Sequence, residues 1–435
     1  MIPTVRLVWL VTLGIPITLL ALFGGQGFFL AAIYTVLLVA AVAADRLATQ
    51  DPDLADVSRE MPLRWVQGRS GRIRLHVRWG GRRKGHLLIR DLPPISFETD
   101  STLFRLVMAA GRSRVDYEVV PRQRGHYPFG PVAIRSRGPL GLLERQKVLK
   151  VAATARVYPD LVTLSPRERT MPGPKLQLSG YRRLRIHGEG REFHQLRHYV
   201  EGDDLRLMDW KAFARRGLPA VRDYRAERNQ RVVLVVDAGR LMTFRVADRL
   251  RFDWAIQAAG RLARSALGMG DRVGLAIFSR SIKVHLPAGR GPGHLGRLSD
   301  LMCEAQPDLD EPDLGGALHT LLRNNPRRAL VVVFTEIADP RSAEQVLRHV
   351  GALAPRHLGV VVTLADADLM AERETPLVDA DAVYRRVSAD ELWWEYRRTE
   401  TALERQGAIV IRARADALAA ETVERYAEIK RLGRL

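Results

Sequence analysis

From Leu7 to Ala44 the chain carries no charged side chain, a run of 38 residues. The run breaks at Gly24-Gly25-Gln26-Gly27 into two apolar stretches, 7–23 and 28–44. Seventeen residues make roughly 25 Å of helix, at the short end of what crosses a bilayer. The pattern predicts a transmembrane helical hairpin within residues 1–46 that crosses twice through a tight glycine-rich turn. Arg6 and the amino terminus precede it, Arg46 and many more arginines follow it, and the turn is uncharged. The positive-inside rule therefore places both ends, and the soluble domains after them, in the cytoplasm. A cleaved signal peptide is the rival reading, with Ala41-Val42-Ala43 as its cleavage site. That site follows the second apolar stretch and lies too far from the first.

The rest of the chain, to residue 435, is long enough for more than one domain. Its 68 Lys and Arg outnumber 49 Asp and Glu, a formal charge of +19 that points to anionic lipid, nucleic acid or an acidic protein as partner. A single cysteine excludes an intrachain disulfide framework and any cysteine-rich metal site. Twelve of those excess positive charges fall between residues 60 and 160. There RIRLHVR (72–78) sets Ile73, Leu75 and Val77 on one face, and Val115, Tyr117 and Val119 repeat the period of two. An antiparallel β-sandwich with one wet face is expected over 47–165. Its basic residues read either as contacts to anionic head groups or as an ordinary solvated sheet face.

Beyond Arg231 the pattern changes again. Apolar runs suited to buried parallel strands occur at 232–236, 273–278, 330–334, 358–364 and 409–411. Helical rows lie between them: Leu314, Ala317, Leu318, Leu321 and Leu322 in one, Leu250, Trp254, Ala258 and Leu262 in another. Strand alternating with helix predicts a doubly wound α/β domain over 231–435. In such sheets a site sits beyond the carboxyl ends of the strands, where Asp237, Thr335 and Glu336 fall.

Three stretches make the chain resemble a known family: RGHYPFGPVAIRSRGPLGL (124–142), REFHQLRHYVEGDDLRLMDWKAFAR (191–215) and VRDYRAERNQRVVLVVD (221–237). They resemble the bacterial family called domain of unknown function 58. The resemblance implies a membrane-anchored protein whose last domain is similar to a von Willebrand factor type A domain, and a MoxR-type AAA+ ATPase as partner. It implies no established enzymatic activity. Type A domains hold a divalent cation with an Asp-x-Ser-x-Ser loop, a Thr from a second loop and an acid from a third, an oxygen set that suits Mg²⁺. Here Gly239 and Leu241 stand in place of the serines, Pro312 in place of the Thr, and Glu336 in place of the usual Asp. Asp237, Asp313 and Glu336 remain as a degenerate metal site, so no cofactor is expected. The alternative is that these acids cap helices and pair with Arg240 and other arginines.

Residues 166–230 form a signature segment between the domains. Asp203 and Asp204 precede a helical stretch over Leu205–Arg215 that Gly217 would stop, one aspartate serving as N-cap. Glu192, Arg197, Asp203, Asp204, Asp209, Lys211 and Arg215 read as an ion-pair network. The alternative, with Trp210 as aromatic anchor, is a partner-docking face. Nothing in their spacing demands catalysis. GPGHLG (291–296) matches G-x-G-x-x-G but comes late in the sheet and carries proline in its turn; a flexible turn that starts a helix explains it as well. No G-x-x-x-x-G-K-[ST] or H-E-x-x-H occurs, and Cys303 reads as core packing beside Leu301 and Met302.

Two classes of function fit these features. One is a non-enzymatic membrane adaptor that docks an AAA+ ATPase or its client, the class favoured by the resemblance. The other is a binder or enzyme acting on an anionic lipid or polymer through the basic sandwich. Nucleic acid is a weaker form of the second, in which Trp65 and Trp79 would stack bases.

Overall fold

A computed structural model describes residues 1–19, 25–81, 84–161, 187–199, 208–225, 229–323, 327–337 and 340–433. The chain divides into two compact units, Met1–Tyr158 and Pro159–Leu435.

The first unit begins with a two-residue strand β1 (Ile2–Pro3), then α1 (Val5–Leu19) and α2 (Gly25–Ala48). Among the described residues only α2 reaches bilayer-spanning length, about 36 Å at 24 residues. The described α1 runs over 15 residues with a proline at position 16, and residues 20–23 of the expected 7–23 stretch lie outside the described residues. The two helices pack on each other. The Tyr34 hydroxyl donates to the Leu10 carbonyl at 2.5 Å, and its ring lies so close to Gly14 that a Cβ there would sit 2.9 Å from it. Phe28, Phe29, Leu30, Ile33, Val36, Leu37 and Val39 all stand more than half exposed on α2. Such a surface needs lipid or protein to cover it.

A sheet-rich region follows: β2 (Ala55–Glu60), β3 (Trp65–Val66), β4 (Gly71–Trp79), β5 (Gly85–Asp91), β6 (Phe97–Glu98), β7 (Leu103–Met108), β8 (Gly111–Pro121), β9 (Gly125–Pro128), β10 (Val132–Arg137), β11 (Leu143–Leu149) and β12 (Thr154–Tyr158). One sheet runs β1-β11-β10-β5-β7, a second β2-β4-β8-β6, and a short third β3-β12-β9. Every pairing is antiparallel except β3 with β12. The period-two expectation holds: Ile73, Leu75 and Val77 are buried, while Arg72, His76 and Arg78 face solvent. They pack with Leu87, Ile89, Val119, Val132 and Ile134 in one shared core. Within it lies a buried ion pair, Arg59 on Asp91, to which the Tyr117 hydroxyl also donates at 2.5 Å. Arg59 further donates to the carbonyls of Val151 and Gly130 at 3.1 and 2.9 Å, so its guanidinium is satisfied away from water.

The second unit holds the hairpin pair β13 (His187–His198) and β14 (Ala220–Arg225), with α3 (Trp210–Arg216) between them. Its α/β region contains β15 (Arg231–Asp237), β16 (Arg245–Val246), β17 (Arg249–Leu250), α4 (Arg251–Gly268), β18 (Arg272–Phe278), β19 (Ile282–Gly289), α5 (Pro292–Glu304), α6 (Leu314–Arg323), β20 (Leu330–Phe334), α7 (Pro340–Gly351), β21 (Leu358–Leu364), α8 (Ala367–Glu374), α9 (Ala380–Arg405), β22 (Ile409–Ala413) and α10 (Leu418–Arg431). The six-stranded sheet runs β19-β18-β15-β20-β21-β22. All its neighbours are parallel except the edge strand β19. Helices α4, α5 and α10 cover one face and α6, α7 and Leu403 of α9 the other, which makes the sheet doubly wound. The runs at 330–334 and 358–364 are strands to the residue, and the leucine row from Leu314 is the buried face of α6. At the amino end of the sheet, Asp271 receives Lys430 at 2.5 Å and the Tyr426 hydroxyl, fastening the last helix.

Candidate functional site

The strand order reverses between β15 and β20, since β15 connects onward to β18 on one side and the later strands add on the other. Open α/β sheets bind ligands beyond the carboxyl ends of the strands at such a switch point. Asp237 ends β15 and is 2% exposed; Thr335 and Glu336 follow β20 and are buried as well. One Asp237 oxygen accepts the Gly239 amide at 2.7 Å, the other the Thr335 hydroxyl at 2.7 Å. Burial pushes the Asp237 carboxyl up to about 6; the two hydrogen bonds oppose that rise, and the Glu311 and Asp308 charges add to it.

Glu336 turns to a different neighbourhood. Its Oε1 accepts the Thr363 hydroxyl at 3.2 Å and the Ile337 amide at 3.3 Å. Burial raises its pKa against the pull of Arg251 and Arg412. A crevice no larger than a water molecule lies beside it, lined by Met242, Arg251, Thr335, Thr363 and Leu418. Asp313 is exposed. It accepts the Gly316 amide at 2.9 Å and so caps the start of α6. The three acids of the expected metal site are thus employed separately. Among the described residues no group of three His, Cys, Asp or Glu side chains could hold a metal ion.

The loop from Asp308 to Asp313 explains why. Its backbone is stitched over the end of β15: Asp308 N donates to the Ala238 carbonyl at 2.8 Å, and Arg240 N to the Asp310 carbonyl at 2.9 Å. A Cβ on Gly239 would meet Pro312 Cδ at 2.8 Å and the Asp310 oxygen at 2.9 Å, so a serine at 239 has no room. The space a cation and its hydroxyl ligands need is filled with chain, and the residues present do not fit Mg²⁺. The expected pairing of Arg240 with these acids is also corrected: it meets Glu311 at 3.3 Å. The GPGHLG turn follows β19, an antiparallel strand whose Gly289 pairs with Val273 near the start of β18. It therefore lies at the amino end of the parallel strands, opposite the crevice.

In the signature segment, helix α3 starts at Trp210 rather than Leu205, and its N-cap is Asp209, whose carboxylate accepts the Ala212 amide at 3.0 Å. Met208 is held out of the helix by a bridge to Val221, and Asp209 N donates to the Ala220 carbonyl at 2.9 Å. Gly217, at φ 69°, ends the helix as expected. Trp210 is 62% exposed and stands edge-to-face with the exposed Phe213, ring centroids 6.3 Å apart. Lys211 and Arg215 are exposed beside them. Glu192 and Arg197 lie on β13, opposite Arg225 and Val221 in register. Asp203 and Asp204 lie outside the described residues.

A second constellation went unseen in the sequence. Asp45, one residue past the charge-free run, is fully buried. Its carboxylate accepts the amides of Leu140, Leu142 and Leu143 at 2.8, 2.8 and 2.9 Å. The same loop is held from the other helix, where the Thr4 hydroxyl donates to the Gly141 carbonyl at 2.6 Å and Thr4 N to the Leu142 carbonyl at 2.9 Å. A methyl group on Gly138 would run into the Asp45 carboxylate and the Thr49 hydroxyl, and Gly141 takes φ 69°. These glycines are the GPLG of the first signature stretch. The only sequence signal was a lone aspartate at the end of an apolar helix.

Residues 195–390 match the family described as Protein of unknown function DUF58. An uncharacterized protein of Mycobacterium tuberculosis (strain ATCC 25618 / H37Rv) is 31% identical over 212 residues, 47% of this chain and 66% of that protein. The uncharacterized protein YeaD of Bacillus subtilis (strain 168) is 24% identical over 223 residues, 51% of this chain and 53% of that one. The chain thus spans less than two thirds of the length of these relatives. Among solved structures, an uncharacterized membrane spanning protein from Vibrio fischeri aligns over 47% of this chain and 98% of its own at 14% identity and a TM-score of 0.18. The CARDB domain of the PF1109 protein from Pyrococcus furiosus aligns over 24% of this chain and 91% of its own, also at 14% identity, with a TM-score of 0.17. Neither likeness is close enough to carry a structural argument.

Proposed function

We propose that this chain is a membrane-anchored, non-enzymatic adaptor: a helical hairpin in the bacterial cytoplasmic membrane, soluble domains in the cytoplasm, and a MoxR-type AAA+ ATPase as partner. The observation that carries the anchor is the common footing of the two helices. Thr4 at the start of α1 and Asp45 at the end of α2 bind the same loop, Gly138–Leu143, so chain entry and exit lie on one side. This agrees with an uncharged turn between them and basic residues at both ends. The strand order of the sheet and the acid closing its first strand support a domain similar to von Willebrand factor type A. Its metal position is closed by the loop carrying Asp310 and Pro312, which favours a domain that works by docking without a cation. Trp210 and Phe213, exposed on a helix capped at both ends, supply an aromatic anchor of the kind that dominates interface energies. The ATPase itself enters from the family resemblance.

Affinity capture of the full-length protein from gently solubilised membranes, with and without ATP, tests the adaptor. Capture of an ATP-sensitive AAA+ ATPase that Trp210→Ala abolishes supports it. Capture that ignores both ATP and Trp210, or recovery of nucleic acid or envelope polymer alone, overturns it.

A further inference from the structure

We infer that the membrane-facing rim of the β-sandwich is a binding site for anionic phospholipid head groups, built around four uncompensated bases, Arg6, Arg46, Lys84 and Arg112. The inference rests on the reading of α2 as a membrane span and deepens it by naming the lipid class.

Strand register identifies the rim. Ala55 of β2 pairs with Trp79 of β4, and Trp79 with Gly111 of β8, so one end of that sheet carries Trp79, Gly111 and the chain arriving from α2. Gly80 N donates to the Leu54 carbonyl at 2.9 Å at this end. In the facing sheet Gly85 pairs with Met108, His86 with Arg137, and Arg137 with Glu144. Arg137 leads directly into the loop clamped by Asp45. Both sheets therefore present this same end to the last turn of α2.

Asp45 fixes the depth. It follows Ala44, the last residue of the charge-free run, and its carboxylate holds three amides of the loop. When that run fills the hydrocarbon, the loop and the rim stand at head-group level. Leu47, 87% exposed, and Leu140, 49% exposed, sit beside the clamp and add apolar surface at that depth.

The charges at the rim are unequal. Its acids are already engaged: Asp51 with Arg145 at 3.3 Å, Asp53 with Lys147 at 2.5 Å, Asp56 with Arg78 at 3.9 Å, and Glu144 with Arg137 at 2.8 Å. Arg6, Arg46, Lys84 and Arg112 are exposed and make no ion pair with any described residue. Farther from this end Arg72 meets Glu118 at 3.6 Å and Arg122 meets Glu98 at 2.5 Å. Four free cations at head-group depth match phosphodiester groups carrying net negative charge, each base favouring an anionic surface about fivefold. Nucleic acid would call for stacking aromatics, but Trp65 and Trp79 are 2% and 1% exposed and lie in the core.

The test uses full-length protein reconstituted in phosphatidylcholine vesicles with a minor share of phosphatidylglycerol. Spin-labelled versions of each lipid report the fraction immobilised on the protein. Wild type should select the phosphatidylglycerol label several-fold, less so as salt rises. Arg46→Gln/Lys84→Gln/Arg112→Gln should lose that selectivity while its melting temperature holds. Arg90→Gln removes an exposed, unpaired base from the far end of β5 and should leave selectivity intact. Equal selectivity in wild type and the triple variant, or equal loss in Arg90→Gln, overturns the site. Absence of immobilised lipid of either kind removes the membrane reading itself, a distinguishable failure. Duplex DNA that competes with the lipid label and binds through these three bases also overturns the assignment to lipid.

Discussion

Replacing Asp237 with Asn tests whether the carboxylate at the end of β15 is a buried, closed-over group. Its folded-state pKa stands at about 6 against 3.8 for a free aspartate. A carboxyl whose folded pKa is raised binds its proton more tightly in the native state than in the unfolded chain. Stability is therefore complete below about pH 4, falls as pH climbs through the window, and carries the full penalty above about pH 6. The gap between 3.8 and about 6 corresponds to about 3 kcal/mol. Asparagine keeps the oxygen that accepts the Gly239 amide and can donate to the Thr335 hydroxyl, so the penalty goes while the hydrogen bonds stay. The assay is hydrogen exchange of the Val232–Val236 amides across a urea series, for wild type and Asp237→Asn, from about pH 4 to about pH 7. The two proteins should match at the acid end, and the variant should gain up to about 3 kcal/mol toward neutrality. Contributions shared by both, including that of the buried Glu336, cancel in the difference. A difference that stays flat across the range would refute the reasoning, as would tight Mg²⁺ binding by wild type.

Three further outcomes follow from the geometry. Asp45→Ala strands three loop amides, two of them buried, and should cost about 4 kcal/mol with fast hydrogen exchange confined at first to Leu140–Leu143; Asp45→Asn should fall between the two. Asp209→Ala removes the cap of α3 and should lower stability by about 1 kcal/mol, whereas Trp210→Ala should leave the melt unchanged and weaken partner capture. Arg59→Ala leaves Asp91 buried without its ion-pair partner and should cost about 3–5 kcal/mol in denaturant unfolding, while Arg59→Met with Asp91→Leu should recover much of it.

Where burial imposes a period, the residues declared the structure. Strand β4 alternates as RIRLHVR alternates, and strands β20 and β21 run as long as their apolar stretches, because a buried parallel strand has no polar position to offer. The start of α3 was misplaced because an aspartate before a helical pattern is an equally good cap at 203, 204 or 209; only the bridge from Met208 to Val221 decides among them. The edge strand β19, Ile282–Gly289, carries an alternation that was legible, but its antiparallel direction depends on the tight turn after Phe278. Least legible were the lone carboxylates. Asp45, Asp91 and Asp271 meet partners 26 to 159 positions away, distances over which sequence spacing carries no signal. The acids named for the degenerate metal site are a related case. Which acids share a site depends on where the Asp308–Asp313 loop runs, and that loop fills the place they would have enclosed.

The clamp at Asp45 also has a mechanical consequence. A helix joined to its domain through a slack linker can lean without disturbing what hangs from it. Here three amide hydrogen bonds to one carboxylate, and a second foothold at Thr4, fix the shaft to the head. If the bilayer thins or thickens and α2 leans to follow it, the sandwich must swing through the same angle. A lean of a few degrees at the clamp becomes a displacement of about 2–3 Å at the far end of a strand the length of β8. On the proposed anchoring the protein is a lever with one arm in lipid, and the thickness of the membrane becomes a quantity its sandwich can report.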